Sequence, residues 1–124
     1  MEAAIAADAI FRDLTEDVMP KYMIHAAYTA EGLKGLQKDK GSGRREVINA
    51  AISALGGKLE GFYFAFGEDD VVSIADMPDN MSMAALAVAV SASGLVRTKV
   101  IPLLTAEEVD KALQKSVNYR APGR

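Results

Sequence analysis

The sequence predicts an α+β fold with one antiparallel sheet and helices on one of its faces. Two observations support this prediction. Segments rich in β-branched and aromatic residues alternate with segments of helical periodicity, and glycine-containing turns separate them. The chain has 124 residues, enough for a single hydrophobic core, and 50% of them are hydrophobic. We therefore expect one globular domain.

The first half of this domain is predicted to contain a strand and a helix. Lys21–Tyr28 combines β-formers with no breaker and is expected to be a strand. Thr29–Gly32 opens a short helical turn, because its threonine can cap free backbone amides. A polar loop over 38–43 then precedes a helix over 44–55, in which apolar residues recur at helical spacing. Gly56 ends that helix, as a left-handed C-terminal cap requires.

A hairpin of two strands is predicted next, followed by a second helix. Lys58–Phe66 and Asp70–Met77 are the strands, and Gly67–Asp69 is the tight turn between them. Met81–Ala92 is the helix, which is rich in alanine. Its large apolar residues, Met83, Leu86 and Val90, are expected to face the sheet. The small residues Ala84, Ala87 and Ser91 are expected to face away from it.

The last predicted elements are a fourth strand and a terminal helix. Val96–Leu104 is the strand, and Pro102 near its end suits an edge position because proline donates no ladder hydrogen bond. Thr105–Glu108 has the pattern of a helix start, so a helix is expected to run from there to about residue 116. The complete order is β-α-β-β-α-β, which predicts a ferredoxin-like sandwich with an antiparallel sheet.

Segments at both ends are predicted to lie outside this domain, which spans 19–116. Residues 1–18 hold five acidic residues and one arginine, and Ile10, Leu14 and Val18 recur at a four-residue spacing. This pattern predicts a short amphipathic N-terminal helical extension. Residues 117–124 are expected to form a flexible tail.

Composition excludes several classes of protein. The chain has no cysteine and one histidine, so we expect no disulfide, thiol chemistry, metal site or cofactor. The net charge of −3 is too small a bias to indicate nucleic-acid binding. A membrane partner is not expected either, since no stretch reaches the roughly 20 apolar residues of a membrane span. A cytoplasmic location is predicted.

The second face of the sheet is unusually apolar for a face turned to water. In the second strand Leu59, Gly61 and Tyr63 are expected on one side, and Phe62 and Phe64 on the other. A small domain with two apolar sheet faces would expose a large patch. We therefore expect a homodimer or higher homo-oligomer in which a second copy covers one face. The alternative is that the terminal helices fold back over it.

Seven short motifs occur in a specific order along Met19–Val109: Tyr22-Met23-Ile24, Thr29-Ala30-Glu31-Gly32, Leu55-Gly56-Gly57-Lys58, Gly61-Phe62-Tyr63, Gly67-Glu68-Asp69-Asp70, Val96-Arg97-Thr98 and Leu104-Thr105-Ala106-Glu107-Glu108. In this arrangement the chain resembles the GYD-domain proteins. The resemblance implies a ferredoxin-like fold related to dimeric α/β barrels. It does not imply a particular chemical activity. One departure stands out. The eponymous motif has tyrosine where this chain has Asp69, whereas Gly67 and Asp70 are kept.

Two residues are candidates for catalysis. His25 is the single imidazole, a group able to exchange protons near neutral pH, and Tyr63 lies on a strand that could border an apolar pocket. A hydrogen-bonded strand histidine at an interface is the alternative interpretation. The carboxylates of Glu68, Asp69 and Asp70 could hold a cation loosely, but a polar turn is the favoured interpretation because sequential residues do not all converge.

Five residues are candidates for ligand binding. Tyr22 and Phe64 could line an apolar pocket, while Arg97 and Lys99 share one face of the fourth strand and could bind an anion. Arg44 follows two glycines at a predicted helix start and could do the same. The alternative for Tyr22 and Phe64 is packing in the core or an interface. For Arg97 and Lys99 it is a solvated strand face, and for Arg44 it is a hinge.

Two classes of function are consistent with these residues. The first is a small-molecule-binding or assembly module of a homo-oligomer, favoured by the scarcity of catalytic side chains. The second is a cofactor-independent enzyme of the dimeric-barrel type, an isomerase or monooxygenase acting on a small apolar or aromatic acid. In that case His25 or Tyr63 would act over an apolar pocket.

Overall fold

The computed structural model describes residues 19–124, so the predicted N-terminal extension over 1–18 lies outside it. In chain order the elements are β1 (Lys21–Tyr28), α1 (Ala30–Ala54), β2 (Lys58–Phe64), β3 (Val71–Asp76), α2 (Asn80–Ala92), β4 (Val96–Leu103) and α3 (Ala106–Leu113). The predicted order of strands and helices is confirmed. Of the helices within 19–124, none is both long enough and apolar enough to cross a bilayer.

The four strands form one sheet in the order β2-β3-β1-β4, and every neighbouring pair is antiparallel. This topology confirms the α+β class and is that of a ferredoxin-like sandwich. Strand β4 lies at an edge of the sheet, as Pro102 predicted, since an edge strand can lose a ladder donor at little cost. Gly56 has φ of 84° directly after α1, so the predicted left-handed cap is also confirmed.

Helices α1 and α2 cover one face of the sheet and form the hydrophobic core with it. Ile52 of α1 is completely buried, and so is Met77 after β3. The other members of the core come from β1, β3 and α2: Tyr22, Ile24, Ala75, Met83 and Leu86. Asp79 caps α2, and the hydrogen bonds from the amide and hydroxyl of Ser82 lower the pKa of its carboxyl.

The opposite face of the sheet, here called the outer face, carries the alternate residues of each strand. The strand register aligns them in two central rows, Gly61–Ile74–Met23–Ile101 and Tyr63–Val72–His25–Lys99. Helix α3 begins with the predicted cap, since Thr105 and Glu108 exchange hydrogen bonds. In the part of the chain that the structure describes, α3 buries none of its residues, and it lines a cleft with Lys21 and Asp76 at one end of the outer face.

A β-bulge in β2 changes which residues share a face. The pairing with β3 shifts between Leu59 and Gly61, so that Leu59 lies opposite Ala75 and Gly61 opposite Ile74. Leu59 therefore packs against the core, and its predicted place beside Gly61 and Tyr63 is wrong. The extra residue in the bulge interrupts the period of two on which that prediction relied.

Helix α1 is bent at one residue where the sequence predicted a loop. Lys40 has φ of 67° and ψ of 167°, while its neighbours stay helical. The polar loop predicted over 38–43 is therefore wrong: the chain changes direction at a single residue. Gly41 follows the bend, and a Cβ atom there would lie 3.0 Å from the ring of Phe64. Close contact with Phe64 thus explains a glycine directly after the bend.

Replacing Lys40 with glycine is expected to stabilise the protein by about 1 kcal/mol, because only glycine adopts this backbone conformation without strain. The matched control is Lys38→Gly, two residues earlier in regular helix. It is expected to cost about 1 kcal/mol, since glycine loses more backbone entropy there. Urea denaturation of both variants measures the two effects. A loss of stability in both would contradict a strained Lys40.

Helix α2 presents its small residues differently from the prediction. Met83 and Leu86 are buried against the sheet as expected. However, Ala87 also packs against the core, and the Ser91 hydroxyl lies 3.1 Å from that of Thr98 on β4. The prediction that Ala87 and Ser91 face away from the sheet is therefore wrong, whereas Ala84 is exposed as predicted. Small side chains at these positions let α2 lie close to β4.

Candidate functional site

An apolar cavity lies between the helices and the sheet, and is here called the inner cavity. Its volume is about 40 Å³, so it is a small cavity. Its walls come from α1, α2 and all four strands: Ile24, Ala26, Tyr28, Arg44, Ile48, Phe62, Val71, Ser73, Met83, Leu86, Ala87, Val90, Val96 and Thr98. Apolar walls with a few polar groups are typical of small-molecule sites.

Arg44 is the one charged residue among the lining residues that the structure describes. It lies in the second part of α1, after the bend at Lys40. One nitrogen of its guanidinium, Nη1, is 3.6 Å from Oδ2 of Asp39, and its side chain is mostly buried. A second cavity of about 200 Å³ adjoins the first and shares Tyr28, Arg44 and Val96 with it. Arg44 thus lies between two cavities.

A second group of polar side chains lies on the outer face, around His25. Nδ1 of His25 is 2.8 Å from Oδ2 of Asp69, and Oδ1 of Asp69 is 3.9 Å from Nζ of Lys99. Because an ionised carboxylate can only accept hydrogen bonds, His25 donates from Nδ1. The other ring nitrogen, Nε2, is buried and has no hydrogen-bond partner within 19–124. A buried, unpaired nitrogen is unusual in a folded protein.

The turn between β2 and β3 supplies Asp69, and its neighbour Asp70 holds that turn on β1. Oδ2 of Asp70 accepts the Tyr28 N–H at 2.8 Å, and the Asp70 N–H donates to the Ala26 carbonyl at 2.8 Å. The two carboxylates thus have different partners and do not converge on one point. In the described part of the chain, no three potential metal ligands come together.

The sheet separates the candidate residues into two groups. His25, Tyr63 and Lys99 share one row of the outer face, and Arg97 lies on the same face opposite Ala27. The remaining candidates, Tyr22, Phe64 and Arg44, lie on the helix side of the sheet. The two candidates for catalysis therefore face away from the inner cavity. A ligand inside that cavity would be separated from them by the backbone of the strands.

Two of the ligand-binding candidates have structural contacts. Tyr22 is buried in the core and donates a hydrogen bond from its hydroxyl to Oδ1 of Asn80, and burial raises its pKa. Phe64 packs edge-on against Phe62, with 5.4 Å between the ring centres. These contacts join β1 to the start of α2 and position Phe62 at the wall of the inner cavity.

Sequence reasoning missed Asp69 as a partner of His25 and Ala87 as a wall of the inner cavity. The sequence pattern places Asp69 in a polar turn, and its distance in sequence from His25 conceals their contact. The signal was present in the predicted topology, since β3 of a ferredoxin-like sheet pairs with β1. No comparable signal existed for Ala87, whose place depends on how α2 rotates about its axis.

Comparison with known proteins gives one match. A family model described as GYD domain matches residues 22–113, which includes the three described helices and all four strands apart from Lys21, the first residue of β1. No curated protein and no solved structure shows significant similarity to the chain.

Proposed function

The chain belongs to the GYD domain family, and from that premise we propose that it is a homo-oligomeric module that binds a small apolar molecule. The inner cavity is the observation that carries this proposal. Its walls are formed mainly by aliphatic side chains, which lose contacts when the space between them is empty. An apolar ligand would restore those contacts and remove its own surface from water.

The position of the candidate residues for catalysis supports binding rather than catalysis in this cavity. His25 and Tyr63 lie on the outer face, whereas Ile24 and Phe62, their neighbours in sequence, line the cavity. A general base must come within hydrogen-bond distance of the proton that it removes. Neither residue can do so for a ligand on the other side of the sheet.

Titration with xenon, an apolar probe small enough for a cavity of about 40 Å³, tests the binding site through chemical-shift changes in NMR spectra. We expect the wild-type protein to bind it, and Ala87→Leu to weaken binding by about tenfold or more, because the larger side chain occupies the cavity. Ala84→Leu is the matched control, since Ala84 is exposed on the same helix. Denaturation of each variant checks its folding. Absence of binding to the wild type, or equal affinity in both variants, would contradict the proposal.

A second copy of the chain is the proposed cover of the outer face. Val72, Ile74, Met23 and Ile101 form its apolar centre. At one end Lys21 pairs with Asp76 at 2.9 Å and also with Glu60, and these hydrogen bonds raise the pKa of Lys21. An apolar centre with a polar rim is the usual composition of a protein interface. A stable dimer would need to bury more than about 1,000 Å² there.

The alternative function is a cofactor-independent isomerase or monooxygenase that acts on a small apolar or aromatic acid. The 2.8 Å contact of His25 with Asp69 favours it, because a carboxylate orients the imidazole of many catalytic sites. The experiment is a screen of phenols, quinones and small acids for stabilisation and for turnover. Turnover that is lost in His25→Ala would support the enzyme, and stabilisation without turnover the binding module.

A further inference from the structure

We infer that the homodimer interface contains the cluster of His25, Asp69 and Lys99 on the outer face, and that protonation of His25 separates the two copies as the pH falls from about 8 to about 5.5. This inference rests on the proposed function, because it assumes that a second copy covers the outer face. It adds the residue through which association responds to pH.

The first argument is that the charges around His25 balance while its ring is neutral. The carboxylate of Asp69, from the turn between β2 and β3, is 2.8 Å from Nδ1 of His25 and 3.9 Å from Nζ of Lys99 on β4. Its side chain is 18% exposed, so the group is largely shielded from water. A proton added to His25 therefore leaves the cluster with an excess positive charge, which is costly to bury without a partner.

The neighbouring elements do not offset that charge. In the same row β3 supplies Val72 and β2 supplies Tyr63, both uncharged at neutral pH, while β4 adds Arg97 on the same face. Among the described residues, Asp69 is the one acidic side chain that pairs with His25. A second ion-paired group lies at the opposite end of β1: Lys21, Glu60 and Asp76. The surroundings of His25 are therefore more basic than acidic once its ring is protonated.

The second argument is the position of Nε2, the other nitrogen of the ring. It is buried and has no hydrogen-bond partner within 19–124. A neutral ring leaves an unpaired acceptor there, whereas a protonated ring leaves a charged N–H donor, for which a missing partner costs more. In a single chain this donor can reach water when the ring moves, because the His25 side chain is 24% exposed. A second copy on the outer face would block that movement.

The third argument is the effect of two-fold symmetry. Arg97 and the β2–β3 turn lie at the same end of the sheet, but β4 and β2 are its opposite edges. A two-fold axis parallel to the strands places β4 of one copy over β2 of the other. Arg97 of the second copy then faces the turn that carries Glu68 and Asp69, so the two faces have complementary charges. Protonation adds a positive charge to both copies of the cluster and weakens this complementarity.

The sign of the pH dependence follows from these contacts. The homodimer binds fewer protons at His25 than two separate copies do, so association releases protons and weakens as the pH falls. His25 is the single histidine of the chain. A change in association over the range in which imidazoles titrate can therefore be assigned to it.

Sedimentation velocity at micromolar concentration tests the inference. For the wild type we expect the Kd of the homodimer to be about tenfold or more higher at about pH 5.5 than at about pH 8, since each copy takes up a proton. His25→Asn keeps an amide donor near the position of Nδ1 but does not titrate, so its Kd is expected to differ by less than about twofold between the two pH values. This variant keeps every carboxylate and thus controls for their titration.

A second measurement uses the wild type alone and applies if the asparagine variant does not fold or associate. NMR signals of the single imidazole report its protonation. The pH at which the ring is half protonated is expected to fall as the protein concentration rises and copies associate. Linkage requires this shift if protonation disfavours association.

The outcomes distinguish this inference from the proposed function. A homodimer whose Kd is the same or lower at the acidic pH would overturn the inference and leave the homodimer in place. So would a pH dependence that persists unchanged in His25→Asn, or a half-protonation pH that does not fall with protein concentration. A wild type that is monomeric at both pH values would contradict the proposed homodimer itself.

Discussion

Gly32→Ala is expected to lower the free energy of unfolding by about 3 kcal/mol, through overpacking that the surrounding backbone cannot relieve. A Cβ atom at Gly32 would lie 2.2 Å from the carbonyl oxygen of Leu95, well inside contact distance. That oxygen cannot easily move, because it accepts hydrogen bonds from the N–H and the hydroxyl of Thr29, at 2.9 and 3.2 Å. These contacts hold the start of α1 against the start of β4.

Gly35→Ala is the matched control, one turn later in the same helix. Among the described residues beyond its own helical turns, no atom would lie within 4 Å of a Cβ atom at Gly35. Alanine is the better helix former, so this variant is expected to gain about 1 kcal/mol. Chemical denaturation measures the free energy of unfolding of the two variants, and so separates the effect of overpacking at position 32 from that of helix propensity at position 35. Similar midpoints for both would show that α1 does not need glycine at position 32.

Ile101→Lys is expected to dissociate the proposed homodimer, giving a monomer at micromolar concentration in sedimentation velocity. Ile101 lies in a central row of the outer face and is 44% exposed in the single chain. A lysine there costs the folded protomer little, because its ammonium can reach water. In an interface the same charge would be buried without a partner, which disfavours association strongly.

Val88→Lys is the control for this substitution. Val88 is also β-branched and is 66% exposed, but it lies on α2, away from the outer face. The variant is expected to sediment like the wild type. A monomeric wild type would contradict the homodimer, and dissociation by Val88→Lys alone would place the interface on the helices instead.

The strands, the second helix and the topology were accessible from the sequence because each depends on local pattern. Alternation identified the strands, and Thr105 with Glu108 identified the start of α3. The bulge at Gly61 was not predicted, although a glycine within a strand is one of its known signals. An interruption of the helix was predicted over 38–43, but its restriction to Lys40 was not, since lysine is an ordinary helix former.

The candidate site was less accessible, because its parts come together only through tertiary packing. The sequence places Arg44 near a predicted helix start, but its place in the wall of the inner cavity depends on how α1 packs against the sheet. Those walls combine residues from six elements, and no spacing in the sequence relates them. His25 was identified as a single unusual residue, whereas its contact with Asp69 depends on which strand lies next to β1.

The inner cavity and the outer face are the two sides of the same strand, β1. Ile24 lines the cavity, and Met23 and His25 on either side of it belong to the outer face. A ligand that changes the twist of β1 would thereby change the surface presented to a second copy. Thermodynamic linkage then requires reciprocity. If the ligand changes the association constant of two copies by some factor, association changes the affinity for the ligand by the same factor. Ligand titrations at different protein concentrations would measure that coupling directly.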